Sequence, residues 1–589
     1  MTRAKPPVVK AACLVCRSSK TRCDGKQPCG SVSPPHLHLS KTKLTHHQSV
    51  SVPAGGETVA TGPVVGVVSE EVQDMQKSNV VVLSQRTYPL PFLLPHLQRL
   101  PRALVRSIEP KKTDLPYWPT SSLSLALSAI LVLIPPSQVS TPMTEANVAL
   151  RRSYAHMFAQ AALASAENEI DRIGPMSSPG VALPQERSHL HPMVPFQLDP
   201  ILALVILTIY EYCQRGNVSR MRARINQAVT TAMDMSLHEL GLTTTEYSEA
   251  QRRAWWMIMF VTYQSSNLHL APPVITAEDQ RITTPFPQFD MHLEPWCFII
   301  RVQKTLYACN QMARRPERVI EAVPPRDIST EIRNLDNQVV SLMSESDRYL
   351  RTGFDQGDEA LVAENMWRIS RILIYTARIR LHRSKAFMDI PLFLDKYCDL
   401  TSINSHGFSH DTATPSSSRG IERDEDFPFT EQESSHICLK ASLVVAKGFR
   451  DLVHPSAFGG DTTERYPLSS KGIFSDLEYH KYPHSIPYFA CCAMQSSYAL
   501  LMLVHRLRSS LATDRLGTCY HLLNKPEPAT EASDAERLIE ELRHGVELLS
   551  VSLEPDVVFE GVGRMGREIK SSYSAAFQIT LGLRDHGSK

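Results

Sequence analysis

The sequence predicts a mostly α-helical protein with a small basic head at its amino end. Three observations lead to this fold class. Four cysteines stand close together within residues 13–29. Residues 31–66 hold one acidic residue among Ser, Pro, His, Val and Gly, which is the composition of a disordered linker. From residue 142 onward apolar residues recur at helical spacing, with no alternating, strand-like run. A chain of 589 residues is also too long for one compact core, so we expect separate units.

Charge and cysteine content narrow the class of protein. Residues 1–47 carry nine Lys or Arg against one acid, whereas the whole chain has a net charge of +1, so the remainder is mildly acidic. A basic head on an acidic body suits contact with phosphate groups. Twelve cysteines are too few for a disulfide scaffold, and MTRAKPPVVKAA lacks a secretory apolar stretch, so we expect a reduced, intracellular protein. The apolar runs Leu123–Ile134 and Pro200–Ile209 are shorter than the ~20 residues that cross a bilayer, so no membrane partner is expected.

The helices of the body are predicted from caps and apolar periodicity. Asp199 and Pro200 are predicted to be the N-cap and first residue of an apolar helix that closes at Gly216. A helix that is apolar on every side should be buried. The next helices are predicted over 218–238 and from Ser248 through RRAWWMIMFVTYQ. Four more are predicted over residues 358–385, 436–452, 487–508 and 533–549.

Three features of the body have both a packing and a functional interpretation. Trp255 and Trp256 point about 100° apart on a helix, so at least one is expected in the core. Cys491-Cys492 lies in an apolar run and is expected to be buried as two small hydrophobic side chains. Residues 399–435 are predicted to be a mobile insertion. Within it, DEDFPFTEQE at 424–433 favours a solvated loop, and an acidic activation segment is the alternative.

The spacing of the four clustered cysteines predicts a zinc site. Two cysteines that are two residues apart can clamp one zinc at ~2.3 Å per sulfur, and two further thiolates complete a tetrahedron. Arg17, Lys20 and Arg22 lie between the second and third cysteines, where they offset the charge of the thiolates and can meet phosphate. The predicted ligands follow the spacing C-x2-C-x6-C-x5-C and are Cys13, Cys16, Cys23 and Cys29.

The segment C-x2-C-R-x-x-K-x-R-C-D-G-x-x-P-C resembles the first half of the fungal binuclear zinc cluster (Zn2Cys6) of transcription factors. In that family six cysteines hold two zinc ions, and a short helix enters the major groove to read CGG-type triplets. The resemblance implies that Cys13 and Cys29 bridge both metals, while Cys16 and Cys23 complete the first zinc site. It also implies that Lys20 reads a base. The DNA-contacting residues that it implies are Lys20, Arg17, Arg22 and Ser19.

The second half of this cluster is missing. A fifth cysteine is expected at position 32, where Val32 stands, and the next cysteine after Cys29 is Cys213. His36 and His38 are alternative ligands, although a bridged cluster is built on thiolates. Two explanations stay open. One is a true loss of the second half-site. The other is a frame change or lost exon after residue 31, which the near-absence of acids downstream favours.

A second resemblance covers the body. Residues 199–289 are similar to the fungal-specific transcription factor (middle homology) domain, and the similarity extends less specifically over 90–585. In that family the domain is an all-helical regulatory module. The implied organisation is a head at 8–31, a linker at 32–88 and a helical regulatory domain at 89–589. The matching R-R-x-W-W, P-P and T-P elements are Arg252-Arg253, Trp255-Trp256, Pro272-Pro273 and Thr284-Pro285.

Together the resemblances imply a nuclear, zinc-dependent, sequence-specific DNA-binding regulator of RNA polymerase II genes. The implied partners are double-stranded DNA, a second copy of the chain through the heptad-like run Val68–Val82, and a small-molecule effector or co-regulator. The alternative is a helical regulatory, ligand-binding or interaction protein whose DNA-binding head is degenerate. An enzyme is not expected, because the G-x-G-x-x-G match at 561–566 lacks the parallel sheet of a dinucleotide-binding fold.

Overall fold

The computed structural model describes most of the predicted helical body. All of the described residues fall in the compact unit Val64–Lys589, so the predictions for the head (8–31) and the linker (32–88) lie outside the described residues. The described residues are 119–135, 144–173, 193–242, 245–269, 271–289, 294–313, 328–352, 358–389, 427–452, 488–523 and 530–578.

Every regular element in these stretches is helical, which confirms the mostly α-helical class for the described body. Short 3-10 helices cover Phe196–Leu198, Leu516–Cys519 and Pro555–Val558. The α-helices are α1 (Ser122–Leu131), α2 (Glu145–Ile173), α3 (Asp199–Cys213), α4 (Val218–Asp234), α5 (Ser248–His269), α6 (Pro295–Ala313), α7 (Ile328–Thr352), α8 (Asp358–Ala386), α9 (Glu431–Arg450), α10 (Ala490–Ala512), α11 (Glu531–Ser552) and α12 (Glu560–Gln578).

Neighbouring helices in the chain pack side by side, and the last described helix returns to the third. Helix α1 packs on α2 and α3, and α4 joins α3 to α5. Helix α6 packs on α5 and α8, with α7 against both α6 and α8. Helix α8 packs on α9 and α10, and α11 and α12 complete this side. Because α12 also contacts α3, one hydrophobic core runs through the described helices.

Helix α3 lies in the core, as predicted. Residues Pro200 to Cys213 are all buried. The segment Phe196–Cys213 is long and apolar enough to cross a bilayer by length and composition, but 83% of it is buried inside the protein. The prediction that Asp199 is the N-cap was wrong, because a 3-10 turn leads directly into the helix and places Leu198 at the cap. The Asp199 carboxylate lies instead in the first turn, where the helix dipole favours a negative charge.

The other predicted helices are present with shifted ends. Helix α4 stops at Asp234 rather than at 238, because Ser236 adopts a left-handed φ of 59° and the Leu237 amide donates back to the Ala232 carbonyl. This turn continues to Gly241, whose φ is 57°. Helices α8, α10 and α11 each contain the core of their predicted ranges.

The end of the predicted mobile insertion is part of the fold. Helix α9 begins at Glu431, and Thr430 caps it with a reciprocal pair of hydrogen bonds to Glu433. Phe427 and Phe429 pack against the ring of His382 on α8. The prediction of a mobile insertion was therefore wrong for residues 427–435, and that of a solvated loop was wrong for residues 427–433. The activation-segment alternative stays a prediction, and the rest of the insertion lies outside the described residues.

The glycine motif at 561–566 lies inside α12, so it is not a strand-to-helix loop. Gly561 sits where the start of α12 meets the end of α3. A Cβ at this position would come within 2.8 Å of the carbonyl oxygens of Tyr212 and Cys213. The Gly561 amide instead donates to the Gln214 carbonyl at 3.1 Å. Glycine is therefore required for the two helix ends to approach this closely.

Candidate functional site

The residues predicted to hold zinc and to contact DNA lie outside the described residues, so they stay predictions. They are Cys13, Cys16, Cys23, Cys29, Lys20, Arg17, Arg22 and Ser19. In the stretches that the structure does describe, no three His, Cys, Asp or Glu side chains come together as a metal-binding group. The described body offers a second candidate site, which forms around residues 271–289, here called the signature loop.

Arg253 of α5 fixes the carboxyl end of the signature loop. Its side chain is 2% exposed, and its Nε donates to the Glu249 carboxylate at 2.6 Å. Its Nη2 donates to the Gln288 carbonyl and to the Glu359 carboxylate, each at 3.1 Å. One buried guanidinium thus joins α5, the loop and α8, and two carboxylates balance its charge.

The adjacent tryptophans divide between core packing and loop anchoring. Trp255 is fully buried and Trp256 nearly so, which confirms the expectation that at least one lies in the core. The indole Nε1 of Trp256 donates to the Pro285 carbonyl at 2.9 Å, and its ring stacks on Phe286 with centroids 3.9 Å apart. Trp256 therefore holds the middle of the loop on α5.

Thr284 and Arg222 fix the loop to α4 and to the turn after it. The Thr284 hydroxyl donates to the Leu237 carbonyl at 2.7 Å and accepts from the Leu240 amide at 3.0 Å. Arg222 of α4 donates to the carbonyls of Ala271 and Pro272 at 3.1 and 2.8 Å. The Pro-Pro and Thr-Pro elements thus belong to the signature loop, and Arg253 and Trp256 of the R-R-x-W-W element hold it.

The signature loop forms one wall of a cleft of about 470 Å³. Helices α5, α6 and α7 supply the other walls. The apolar part of the lining is buried or half-buried and comprises Tyr263, Pro273, Tyr307, Ala308, Met312 and Leu335. The polar part is mainly exposed and comprises Thr276, Glu278, Lys304, Gln311, Glu331, Asn334 and Gln338. An apolar interior with a polar edge is the usual form of a small-molecule site.

Two tyrosines and one ion pair set the electrostatics of the cleft. The Tyr263 oxygen accepts a hydrogen bond from the Ala277 amide at 3.0 Å. Burial raises the pKa of Tyr263 to about 12, so its hydroxyl keeps its proton at neutral pH. Burial also raises the pKa of Tyr307. At the edge of the cleft, Lys304 pairs with the Glu278 carboxylate.

A chain of buried polar side chains begins beside the cleft. Gln264 of α5 donates to the Tyr488 carbonyl at 2.9 Å and accepts from Gln303 of α6 at 3.0 Å. Asn267 joins Gln303 to Asn310 through bonds of 2.7 and 2.8 Å. Arg380 of α8 completes the chain with a 2.6 Å bond to the Asn310 oxygen. These bonds satisfy polar groups in the core and fix the relative positions of three helices.

A second polar group, here called the His382 cluster, joins α7, α8 and α9 and consists of Asp336, Arg378, His382 and Ser434. His382 Nε2 lies 3.2 Å from Asp336 Oδ1, and its Nδ1 lies 3.3 Å from Ser434 Oγ. A serine, a histidine and an aspartate in this order are also found in hydrolase triads. Here all three are buried, and Arg378 makes two bonds of 2.8 and 3.0 Å to the same carboxylate. The cluster therefore joins three helices and presents no open face to a substrate.

The pKa shifts in the His382 cluster follow from burial and pairing. Burial lowers the pKa of His382, although hydrogen bonding to Asp336 opposes that effect. Burial alone would raise the pKa of Asp336, but hydrogen bonds from His382 and Arg378 outweigh it and lower the value to about 2. At neutral pH the cluster thus contains a neutral imidazole, a carboxylate and a guanidinium.

The cysteines of the described body act as small apolar side chains. Cys491 and Cys492 are buried, as expected from the sequence. Burial raises the pKa of Cys309 and of Cys438 to about 12. A thiol with so high a pKa stays protonated at neutral pH and is a poor nucleophile and metal ligand.

Tyr263, Tyr307 and the His382 cluster were not predicted from the sequence. Tyr263 lies seven residues after Trp256 and faces the same loop, so helical periodicity together with the signature motif could have identified it. The three residues of the buried serine–histidine–aspartate arrangement are separated by 46 and 52 positions. No local pattern marks such a contact.

Comparison with known proteins adds no relative. The chain matches no protein-family model, no curated protein and no solved structure. The resemblance to the zinc-cluster family therefore rests on the residues quoted above.

Proposed function

We propose that the protein is a zinc-dependent, sequence-specific DNA-binding regulator of RNA polymerase II transcription that acts in the nucleus on CGG-type half-sites. The observation that carries the proposal is the pattern of residues 13–29, in which basic residues stand between zinc-spaced cysteines. Four thiolates on zinc fix a short cationic turn, and Lys20 in that turn can donate to guanine in the major groove.

The helical body supports a regulatory rather than a catalytic role in this proposal. The R-R-x-W-W and T-P residues that suggested the regulatory domain hold the signature loop through Arg253, Trp256 and Thr284. These contacts are structural, and they leave a preformed cleft on the body. The body would then control the head through dimerisation, an effector or a co-regulator.

One observation favours the alternative function. Val32 stands where the family's fifth cysteine is expected, so one zinc site is complete and the second has two bridging sulfurs at most. In the alternative, the chain is a helical ligand-binding or interaction module whose head no longer binds DNA tightly. Sequencing the transcript across codons 28–70 separates a true loss from a frame change or a lost exon.

Zinc content and DNA affinity of the purified full chain decide between the two functions. The proposed function predicts bound zinc and tighter binding to a CGG-containing duplex than to a scrambled duplex, with both affinities falling as salt rises. A metal-free chain, or one that binds both duplexes equally and loses both at moderate salt, would support the degenerate head.

Lys20→Ala tests the base-reading role directly. We expect it to weaken binding to the CGG duplex by ~1–3 kcal/mol and to change binding to the scrambled duplex much less. Lys10→Ala removes the same charge just before the first cysteine, so it is the matched control and should affect both duplexes equally. Equal losses on both duplexes for Lys20→Ala would contradict base reading.

A further inference from the structure

The cleft beside the signature loop is rigid where it meets the loop. Arg222 holds the loop's first carbonyls, and the Tyr263 oxygen accepts from the Ala277 amide at 3.0 Å. Trp256 and Arg253 hold the loop further along. A ligand that enters the cleft therefore does not need to order this wall first, which lowers the entropic cost of binding.

The lining contains a buried hydrogen-bond donor that the described protein does not use. Tyr263 is 2% exposed and lines the cleft. Its oxygen accepts from Ala277, and no acceptor for its own proton occurs among the described residues. A buried hydroxyl whose proton lacks an acceptor costs free energy, and a ligand with an acceptor at this point recovers it.

The charges of the lining favour an uncharged ligand. Lys304 is the one cation in the described lining, and it already pairs with Glu278. The remaining carboxylate, on Glu331, also has an interaction partner in the protein. A charged ligand would either have to break one of these ion pairs or bind beside a pair whose charges already cancel. Neither arrangement favours it.

The residues of the interior favour an apolar ligand body. Tyr307, Ala308, Met312 and Leu335 provide half-buried aromatic, thioether and aliphatic surface on two neighbouring helices. The volume of about 470 Å³ is within the range of ligand sites, ~300–1,000 Å³.

We propose that this cleft binds an uncharged small molecule with an apolar body and a hydrogen-bond acceptor that contacts the Tyr263 hydroxyl. The proposal goes beyond the proposed DNA-binding function and does not depend on it, because every described residue of the lining belongs to the helical body. A chain that fails to bind DNA can still bind such a ligand.

The test uses two probes of nearly equal shape. Acetophenone carries a ring and a carbonyl acceptor, whereas α-methylstyrene replaces the carbonyl oxygen with a methylene group. Saturation-transfer NMR titrations of the full chain should show both binding, with acetophenone favoured by about five-fold, the value of one neutral hydrogen bond. Benzoate, the charged analogue, should bind more weakly than acetophenone.

Two variants place the binding in the cleft. Tyr263→Phe should abolish the preference for acetophenone while retaining α-methylstyrene, whereas Tyr573→Phe, on α12 away from the cleft, should keep the preference. Ala308→Phe fills the interior from a half-buried position and should weaken both probes at least ten-fold. The proposal is overturned if neither probe binds, if the two bind equally to the native chain, or if Ala308→Phe binds both like the native chain.

Discussion

The signature-loop junction and the His382 cluster use similar chemistry with different access to solvent. Each joins three segments that are distant in sequence, and each centres on a buried arginine or histidine with a carboxylate partner. The junction borders an open cleft, whereas the His382 cluster is covered by Phe427 and Phe429. The comparison shows that access and unused hydrogen-bonding capacity, more than residue type, separate a candidate ligand site from a structural contact.

The serine–histidine–aspartate arrangement illustrates this difference. Its three side chains have suitable neighbours for nucleophilic chemistry, yet all three are buried away from any substrate. Arg378 also donates two hydrogen bonds to the Asp336 carboxylate, which in a hydrolase triad would bind only the histidine. In the cleft, by contrast, Tyr263 lines an open cavity, and its hydroxyl donates to no group among the described residues.

Removing the guanidinium of Arg253 should have the largest effect. Arg253→Ala leaves the carboxylates of Glu249 and Glu359 without their buried partner and frees the Gln288 carbonyl, so we expect a loss of about 3–5 kcal/mol in the free energy of unfolding. Urea unfolding followed by circular dichroism measures it. Arg281→Ala removes an exposed arginine from the same loop and should leave the urea midpoint of unfolding almost unchanged. Equal midpoints for the two variants would show that Arg253 does not anchor the loop.

A region could be predicted from the sequence when its contacts join residues that are close together in the chain. Helix α3 could be predicted because its apolar run and its closing Gly216 are local signals. The start of α9 also had a local signal, the capping box formed by Thr430 and Glu433, but the surrounding acids suggested a loop instead.

The sites were harder to predict than the helices. The sequence motif singled out residues of α5 and of the loop, but the way they hold that loop becomes visible only from the folded positions of Arg253 and Thr284. The cleft combines Tyr263, Tyr307 and Leu335 from three helices, and the path of the chain between them sets their spacing. Periodicity can predict which face of a helix is buried, but it does not specify which other helix that face will meet.

Removing the carboxylate of Asp336 should have the next largest effect on the free energy of unfolding. Asp336→Ala leaves Arg378 and His382 without their shared acceptor between three helices, and we expect a loss of about 2–4 kcal/mol. Asp347→Ala is the control on the same helix, because its pair with Arg371 is at the surface and should contribute under about 1 kcal/mol. If Asp336→Ala cost no more than Asp347→Ala, the His382 cluster would not join these helices energetically.

The pH dependence of stability distinguishes the buried histidine from exposed ones. The pKa of His382 is lowered in the folded state, so its contribution is complete above the unfolded value of ~6.5 and is lost as pH falls below it. The free energy of unfolding then decreases by at most about 1.4 kcal/mol per pH unit, until the pH reaches the pKa of His382 in the folded state. Asp336 stays ionised in this range because its pKa is about 2. Glu433, whose pKa is also lowered, stays ionised as well.

Melting temperatures at pH 7.5 and 5.5 measure this contribution. His382→Gln should flatten the decrease on acidification relative to the native chain. Burial also lowers the pKa of His521, so His521→Gln should remove a separate share of the same decrease, and the two effects should add. A decrease in His382→Gln as steep as in the native chain would mean that His382 is protonated equally in both states.

The smallest expected effect tests whether the start of α9 keeps the His382 cluster closed. Thr430→Ala removes the side-chain bond to the Glu433 amide and should cost about 1 kcal/mol. Because Phe429 precedes this cap and lies 4.7 Å from the His382 ring, loosening the cap should also speed hydrogen exchange at the start of α9. Thr530→Ala is the matched control. Thr530 occupies the N-cap of α11, where its hydroxyl donates to the Asp534 carboxylate at 3.2 Å but accepts from no helix amide, so its loss should leave hydrogen exchange at α9 unchanged. If both variants behaved alike, the cover over His382 would depend on the phenylalanines and not on the cap, and closure would be a property of the aromatic packing alone.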